Sequence, residues 1–235
     1  MIVMSAGMSR SGSTLQYQLI KTLVEWNDIG EGRGVWNTNK PMDWHSNLIY
    51  VYKSERFIPR RYISKIYHSF SIVRNPFDVA VSLYRYRVAK EYYSCKGKLF
   101  SMNEIIRSEM VNVIEWIEAW EKLGAHTIRY EDVFPDNCSE VVEQAADVLG
   151  IECSMNEINK IVGQYTIKKN MDTIGSNKSW FDHTGSMLTL AHIGPNMGEP
   201  GQGDLFLNQE QKDMIYKNNF GTIFRLTFQH LKTIL

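Results

Sequence analysis

A glycine-rich loop near the start of the chain has the composition of a phosphate-binding loop. Residues 2–6 form an apolar stretch that predicts a buried strand, and the loop Gly-Met-Ser-Arg-Ser-Gly-Ser-Thr follows at 7–14. Apolar residues then recur at helical spacing up to Trp26, so the loop joins a strand to a helix. The unpaired N–H groups of such a helix start, together with the helix dipole, bind anions. The pattern therefore predicts a phosphate site, although a plain glycine turn between strand and helix explains the same residues.

The loop lacks the lysine of nucleotide-hydrolysing P-loops. Gly7 and Gly12 have the G-x-x-x-x-G spacing, but Ser13 follows where those enzymes place a lysine against the β- and γ-phosphates. The cationic residue lies within the loop instead, at Arg10. This composition favours a phosphate-bearing ligand other than ATP.

Strand and helix patterns alternate along most of the sequence. The alternation predicts an α/β fold in which a mainly parallel sheet is flanked by helices, a single three-layer, P-loop-like domain over 1–235. Further strands are predicted at 47–52, 67–73 and 125–130, and helices from Asn75-Pro76 to about Lys90, from Ser101 to Gly124, at 139–149, at 154–163 and from Asn208 onward.

The predicted strands bring several loops to one edge of the sheet. The loops at 7–13, 53–56, 74–75 and 131–137 each follow the C-terminal end of a strand. Ligands of parallel sheets bind at that edge. The glycine-rich stretches 27–47 and 170–207 are predicted to be long loops, and loops of that length are usually lids, binding loops or disordered.

Composition and charge exclude several classes of protein. The 26 basic and 26 acidic residues give a net charge of zero, so we expect no nucleic-acid or membrane partner. Cys95, Cys138 and Cys153 have neither metal-site spacing nor a disulfide framework, which fits a reducing, cytoplasmic location. The sequence shows no secretory signal and no apolar stretch of transmembrane length.

Four short strings lie at the predicted edge, and together they resemble a known family. They are Ser-Arg-Ser-Gly-Ser-Thr at 9–14, Tyr-Lys-Ser-Glu at 52–55, Val-Arg-Asn-Pro-Phe-Asp at 73–78 with Ser82 beyond, and Arg-Tyr-Glu-Asp at 129–132. In this order they resemble the sulfotransferases that use 3′-phosphoadenosine 5′-phosphosulfate (PAPS) and release adenosine 3′,5′-bisphosphate (PAP). The resemblance covers roughly residues 2–170, with a weaker trace beyond, and it implies sulfuryl transfer that requires no metal.

The resemblance also implies which residues bind PAPS. The loop would hold the 5′-phosphosulfate through backbone N–H groups and hydroxyls, Arg74 and Ser82 would bind the 3′-phosphate, and Tyr130 would contact adenine. Each of these three residues also has a structural interpretation: Arg74 as a surface arginine at a strand end, Ser82 as a serine that packs a helix, and Tyr130 as a core tyrosine. The implied cofactor-binding residues are Arg10, Ser11, Gly12, Ser13, Thr14, Arg74, Ser82, Tyr130 and His192.

The second string would carry the chemistry. Better-known members of the family read Lys-Thr-His, with the histidine as base, whereas this chain has Lys53-Ser54-Glu55. Other branches use a glutamate base, so Glu55 is the candidate to take the acceptor proton. Lys53 and Arg10 would neutralise charge on the leaving phosphate. His45 and His68 are rival bases.

The sequence departs from the family near its C-terminus. The family closes the 3′-phosphate site with Arg-Lys-Gly ahead of Gly-Asp-Trp, but this chain has His-Ile-Gly-Pro-Asn at 192–196 and Gly-Asp-Leu at 203–205. We expect His192 and backbone groups to cover the cofactor instead. The short segment ahead of the loop favours a small-molecule acceptor. A small-molecule or nucleoside kinase and a catalytically idle nucleotide-binding module are the alternative functions.

Overall fold

A five-stranded parallel sheet forms the centre of the part of the chain that the structure describes. The computed structural model describes residues 1–35, 48–54, 63–94, 100–176 and 197–217 of the 235. The strands lie in the order β2-β3-β1-β4-β5, and every neighbouring pair is parallel. This confirms the predicted α/β fold class. The strands are β1 (Ile2–Gly7), β2 (Gly30–Val35), β3 (Ile49–Ser54), β4 (Ile66–Val73) and β5 (His126–Arg129).

Several helices begin at or next to the residues predicted for them. Ser101 and Ser154 each form a reciprocal capping box with the glutamate three residues later, which satisfies helix-start N–H groups. The helices are α1 (Ser13–Trp26), α2 (Pro76–Ser94), α3 (Met102–Ser108), α4 (Met110–Lys122), α5 (Tyr130–Val133), α6 (Ser139–Leu149), α7 (Met155–Val162), α8 (Ile167–Ser176), α9 (Gln202–Phe206) and α10 (Gln209–Ile215).

The sheet is covered on both faces. Alternate residues of β1 pack into different cores: Met4 belongs to a cluster with α2, α3 and α4, whereas Val3 belongs to one with α1, α6 and α7. All six residues of β1 are buried, as expected for a central strand that has helices on both sides. Of the helices described, none is both long and apolar enough to cross a membrane.

The edge strand β2 lies in a stretch that the sequence predicted to be a loop. Its glycines suggested a turn, but they allow close packing instead. A Cβ on Gly30 would lie 1.9 Å from the carbonyl oxygen of Ile49 on β3, and a Cβ on Gly32 would lie 2.4 Å from Cγ of Lys21 on α1. The strand therefore depends on glycines that local sequence patterns assign to loops.

The predicted long helix after Ser101 is two helices. They meet at Glu109, whose backbone angles (φ −105°, ψ −30°) depart from those of an ideal helix. The Glu109 carboxylate accepts a hydrogen bond of 2.6 Å from Nε of Arg87. The 170–207 stretch also contains more helix than predicted, since α8 extends into it and α9 closes it.

The strand order places a crevice beside β1. The chain leaves β1 through α1 to reach β2 and β3 on one side, and then crosses to β4 and β5 on the other. The C-terminal ends of β1, β3, β4 and β5 therefore surround a topological switch point, where sheets of this kind bind ligands.

Candidate functional site

The glycine loop packs tightly against its surroundings. A Cβ on Gly7 would lie 2.2 Å from Cβ of Ser13, and a Cβ on Gly12 would lie 2.6 Å from Cδ2 of Tyr130. Gly12, the residue before α1, has φ +94° and no side chain that could cap the helix. Arg10 also has a positive φ, of 69°. The first-turn amides of α1 have no acceptor within their own helix, and this loop leads directly into them.

Replacement of Gly12 by alanine should lower the stability of the fold. The left-handed backbone costs a non-glycine residue about 1–2 kcal/mol, and the new methyl group would also displace the Tyr130 ring. Gly124→Ala is the matched control, because Gly124 has φ +72° but nothing within 4 Å of an added Cβ. Urea unfolding should show a larger loss for Gly12→Ala than for Gly124→Ala. Equal losses would contradict the packing of Tyr130 on the loop.

Lys53 reaches the loop from the neighbouring strand. Its Nζ donates a hydrogen bond of 2.9 Å to Oγ1 of Thr14, and the residue is only 3% exposed. Residues Ser5 and Lys53 are aligned in the β1–β3 register, so the ammonium group projects over the start of α1. A buried cation thus lies at the predicted phosphosulfate end of the site.

Arg10 extends from the loop to α2. Its Nε donates to Oγ of Ser82 at 3.1 Å, and its guanidinium lies 5.0 Å from the centre of the Tyr86 ring. The loop after β1 and the helix after β4 are therefore joined directly by two of the predicted site residues.

Arg74 occupies the C-terminal end of β4 and is almost fully buried. Its Nη2 donates to the carbonyl oxygens of Gly198 at 3.0 Å and Glu199 at 3.3 Å, and lies 3.6 Å from Oδ2 of Asp78. Its Nε is buried with no hydrogen-bond partner in the described part of the chain. A buried guanidinium N–H without a partner fits a residue that binds an anionic ligand.

Family membership follows from a match over most of the chain. Residues 2–189 match the model of the sulfotransferase domain. The chain belongs to the sulfotransferase family. No curated protein matches it in sequence.

Solved structures similar to this sulfotransferase confirm the fold. A mouse sulfotransferase, SULT7A1, complexed with PAP has a TM-score of 0.64 at 14% identity, over 92% of this chain and 82% of that one. Retinol dehydratase in complex with androsterone and the inactive cofactor PAP has a TM-score of 0.63 at 15% identity, over 92% of this chain and 79% of that one. Retinol dehydratase in a complex with retinol and PAP gives 0.58 at 12% identity, over the same shares.

Tyr130 of the sulfotransferase lies between the glycine loop and the segment 198–203. Its ring stacks on Phe134 with centroids 4.8 Å apart, the Arg74 guanidinium lies 4.3 Å from its centre, and its hydroxyl donates to the Gly198 carbonyl at 2.9 Å. Burial raises the pKa of this hydroxyl, which therefore remains a donor at neutral pH. The ring is buried among protein groups, so Tyr130 is a core residue, as the alternative interpretation of the sequence proposed.

Two carboxylates that belong to the four strings, but had no predicted role in the site, support Arg74 and its surroundings. Glu131 accepts a hydrogen bond of 2.6 Å from the Asn75 N–H, and burial raises its pKa. Asp78 accepts hydrogen bonds from the N–H groups of Gly201 at 2.8 Å and Gly203 at 2.7 Å. The spacing of Arg74 and Asp78, four residues apart at a helix start, was the available signal for an ion pair.

The remaining predicted residues have different outcomes. Glu55, His45 and His192 lie outside the described residues. His68 pairs in register with Val3, near the N-terminal half of β4, and packs 6.4 Å from the His126 ring. It is thus remote from the strand end that bears Arg74. Among the described residues, no group of three or more His, Cys, Asp or Glu side chains could hold a metal ion.

Proposed function

We propose that this sulfotransferase moves a sulfuryl group from PAPS to a hydroxyl or amine of a small-molecule acceptor. The observation that supports this most directly is that Lys53 and Arg74, both buried, lie at one sheet edge, at the ends of β3 and β4 on either side of β1. The glycine loop with Lys53 would form one anion site, and Arg74, whose Nε has no partner among the described residues, would form the other. A nucleotide that carries phosphate on both its 5′ and 3′ positions matches two such sites, whereas ATP requires only the first.

The two sites divide the binding of the nucleotide between them. The amides of residues 10–14 and the hydroxyls of Ser13 and Thr14 would hold the 5′-phosphosulfate. Arg74 and Ser82 would bind the 3′-phosphate, and Tyr130 and His192 would complete the nucleotide pocket. Arg10, whose Nε donates to Oγ of Ser82 at 3.1 Å, would supply a cation between the two ends.

The proposed reaction needs positioning and charge neutralisation from the protein. Sulfuryl transfer forms an S–O or S–N bond to the acceptor and breaks the S–O bond to the phosphate, which leaves with the electron pair. Glu55, one residue beyond β3, would accept the proton of the attacking group. Lys53 and Arg10 would stabilise the negative charge that develops on the leaving phosphate.

The acceptor is proposed to be a small organic molecule. Retinol dehydratase, similar in fold, is described with androsterone and with retinol. The cysteines of the described part, Cys138 and Cys153, are free thiols, which supports a reducing, cytoplasmic location.

Transfer of labelled sulfate from PAPS to a panel of hydroxyl and amine compounds would test the function. We expect one class of acceptor to become labelled and PAP to be released in equal amount. The same reaction in EDTA should proceed with at most a small loss of rate, because no step requires a metal ion. An absolute need for Mg²⁺, with ATP as the donor, would favour a kinase. Tight PAP binding without turnover would favour an idle binding module.

A further inference from the structure

Asp78 joins the start of α2 to a segment more than a hundred residues later. Its Oδ2 accepts from the Gly201 N–H at 2.8 Å, and its Oδ1 accepts from the Gly203 N–H at 2.7 Å. The side chain is 1% exposed. Both oxygens of a buried carboxylate are therefore committed to the backbone of residues 201–203.

The same carboxylate faces Arg74 and closes a ring of contacts. Asp78 Oδ2 lies 3.6 Å from Nη2 of Arg74, and that nitrogen donates to the carbonyls of Gly198 and Glu199 at the other end of the segment. The segment is thus held by its N–H groups on Asp78 and by its carbonyls on Arg74. These contacts all fix Nη2 of the guanidinium, and its buried Nε has no hydrogen-bond partner among the described residues.

Close packing allows the segment to reach Asp78. A Cβ on Gly203 would lie 2.2 Å from Cβ of Phe77 and 2.8 Å from the Asp78 nitrogen, so the backbone of the segment lies directly on the first turn of α2. Gly201 has φ +87°, a left-handed conformation that suits glycine. Both glycines therefore fit the approach that the carboxylate bonds require.

We propose that Asp78 is a positioning residue that gives the site its selectivity for a 3′-phosphate, by holding Arg74 and the 198–203 segment in one fixed arrangement. This inference rests on the proposed function. A carboxylate beside an anion site opposes anion binding by its charge alone. Its contribution is to preorganise Arg74, because a guanidinium already in place loses less conformational entropy on binding.

Asp78→Asn tests which of the two effects of the carboxylate dominates, its repulsion of an anion or its positioning of Arg74. Asparagine keeps the shape, but it offers one acceptor where two N–H groups require one each, and it removes the charge beside Arg74. We expect calorimetry to show PAP binding weakened by about tenfold or more, while 5′-AMP binding changes by less than about twofold. Asp204→Asn is the matched control, since it removes the same charge from an exposed side chain that pairs with Lys212, and it should leave both affinities unchanged.

Two results would overturn the role of Asp78: tighter PAP binding by Asp78→Asn, or an unchanged preference for PAP over AMP, as equal losses for both nucleotides would give. If Asp78→Asn does not fold, Gly203→Ala takes its place, because the added methyl group pushes the segment from Asp78 while both charges remain. That variant should lose the preference for PAP, and its retention would overturn the inference. A wild-type protein that binds AMP as tightly as PAP would instead refute the proposed function.

Discussion

Arg74→Ala should weaken PAP binding by about a hundredfold or more. The guanidinium is buried, and charge-assisted hydrogen bonds to a phosphate are roughly twice as strong as neutral ones, so its loss should cost about 3 kcal/mol. Because AMP has no 3′-phosphate, its affinity should change little. Isothermal calorimetry with PAP and AMP measures both effects and gives the PAP preference of the wild type.

Two further variants show whether the loss comes from the Arg74 guanidinium. Arg107→Ala removes an exposed arginine from the last turn of α3 and should leave PAP affinity unchanged. Arg74→Lys keeps the charge but loses the planar set of donors, so it should recover only part of the affinity. Thermal unfolding of each variant is needed, because Arg74→Ala leaves Asp78 buried without its cation. Equal weakening of PAP and AMP would contradict a 3′-phosphate contact.

Glu55→Gln should lower kcat by about a hundred- to ten-thousandfold with little change in PAP affinity. Glutamine keeps the shape of the side chain but cannot take the proton from the attacking hydroxyl or amine. General-base catalysis contributes rate factors of that size. The proposed nucleotide contacts on the glycine loop and Arg74 are untouched. Single-turnover kinetics with labelled PAPS and an acceptor from the panel would measure the chemical step.

Two further substitutions make this prediction specific. Lys53→Ala should lower kcat and also weaken nucleotide binding, because the ammonium group contacts Thr14 at the start of α1. His45→Ala should leave the chemical step nearly unchanged. Near-normal turnover of Glu55→Gln, together with loss of activity in His45→Ala, would assign the base to His45 instead.

Features encoded by neighbouring residues could be predicted from the sequence. The glycine loop lies between an apolar strand and a helical stripe, and the structure has β1 and α1 there. The capping boxes at Ser101 and Ser154 were correct because each depends on residues three apart. Asn75 was correctly predicted to cap α2, and its Oδ1 accepts from the Phe77 N–H at 2.9 Å.

Glycine was ambiguous where its partner is distant in sequence. Gly30 and Gly32 predicted a loop, but they lie in β2, which pairs with β3, and the absence of a Cβ allows Ile49 and Lys21 to approach them closely. In the same way, Gly203 lies against Phe77 across a separation that no local pattern reports. The sequence shows where the glycines are, but it does not show which distant atoms pack against them.

The sequence alone determined the α/β class, the glycine loop between β1 and α1 and the order of the four strings that indicate a sulfotransferase. The tertiary structure decided how these parts meet: Arg10 contacts Ser82 across 72 residues, Arg74 contacts Gly198 across 124, and Asp78 contacts Gly203 across 125. Strand and helix patterns depend on near neighbours along the chain. Contacts between distant residues depend on strand order and close packing. The contacts of Arg74 with Asp78 and with the segment 198–203 therefore became visible only in the folded protein.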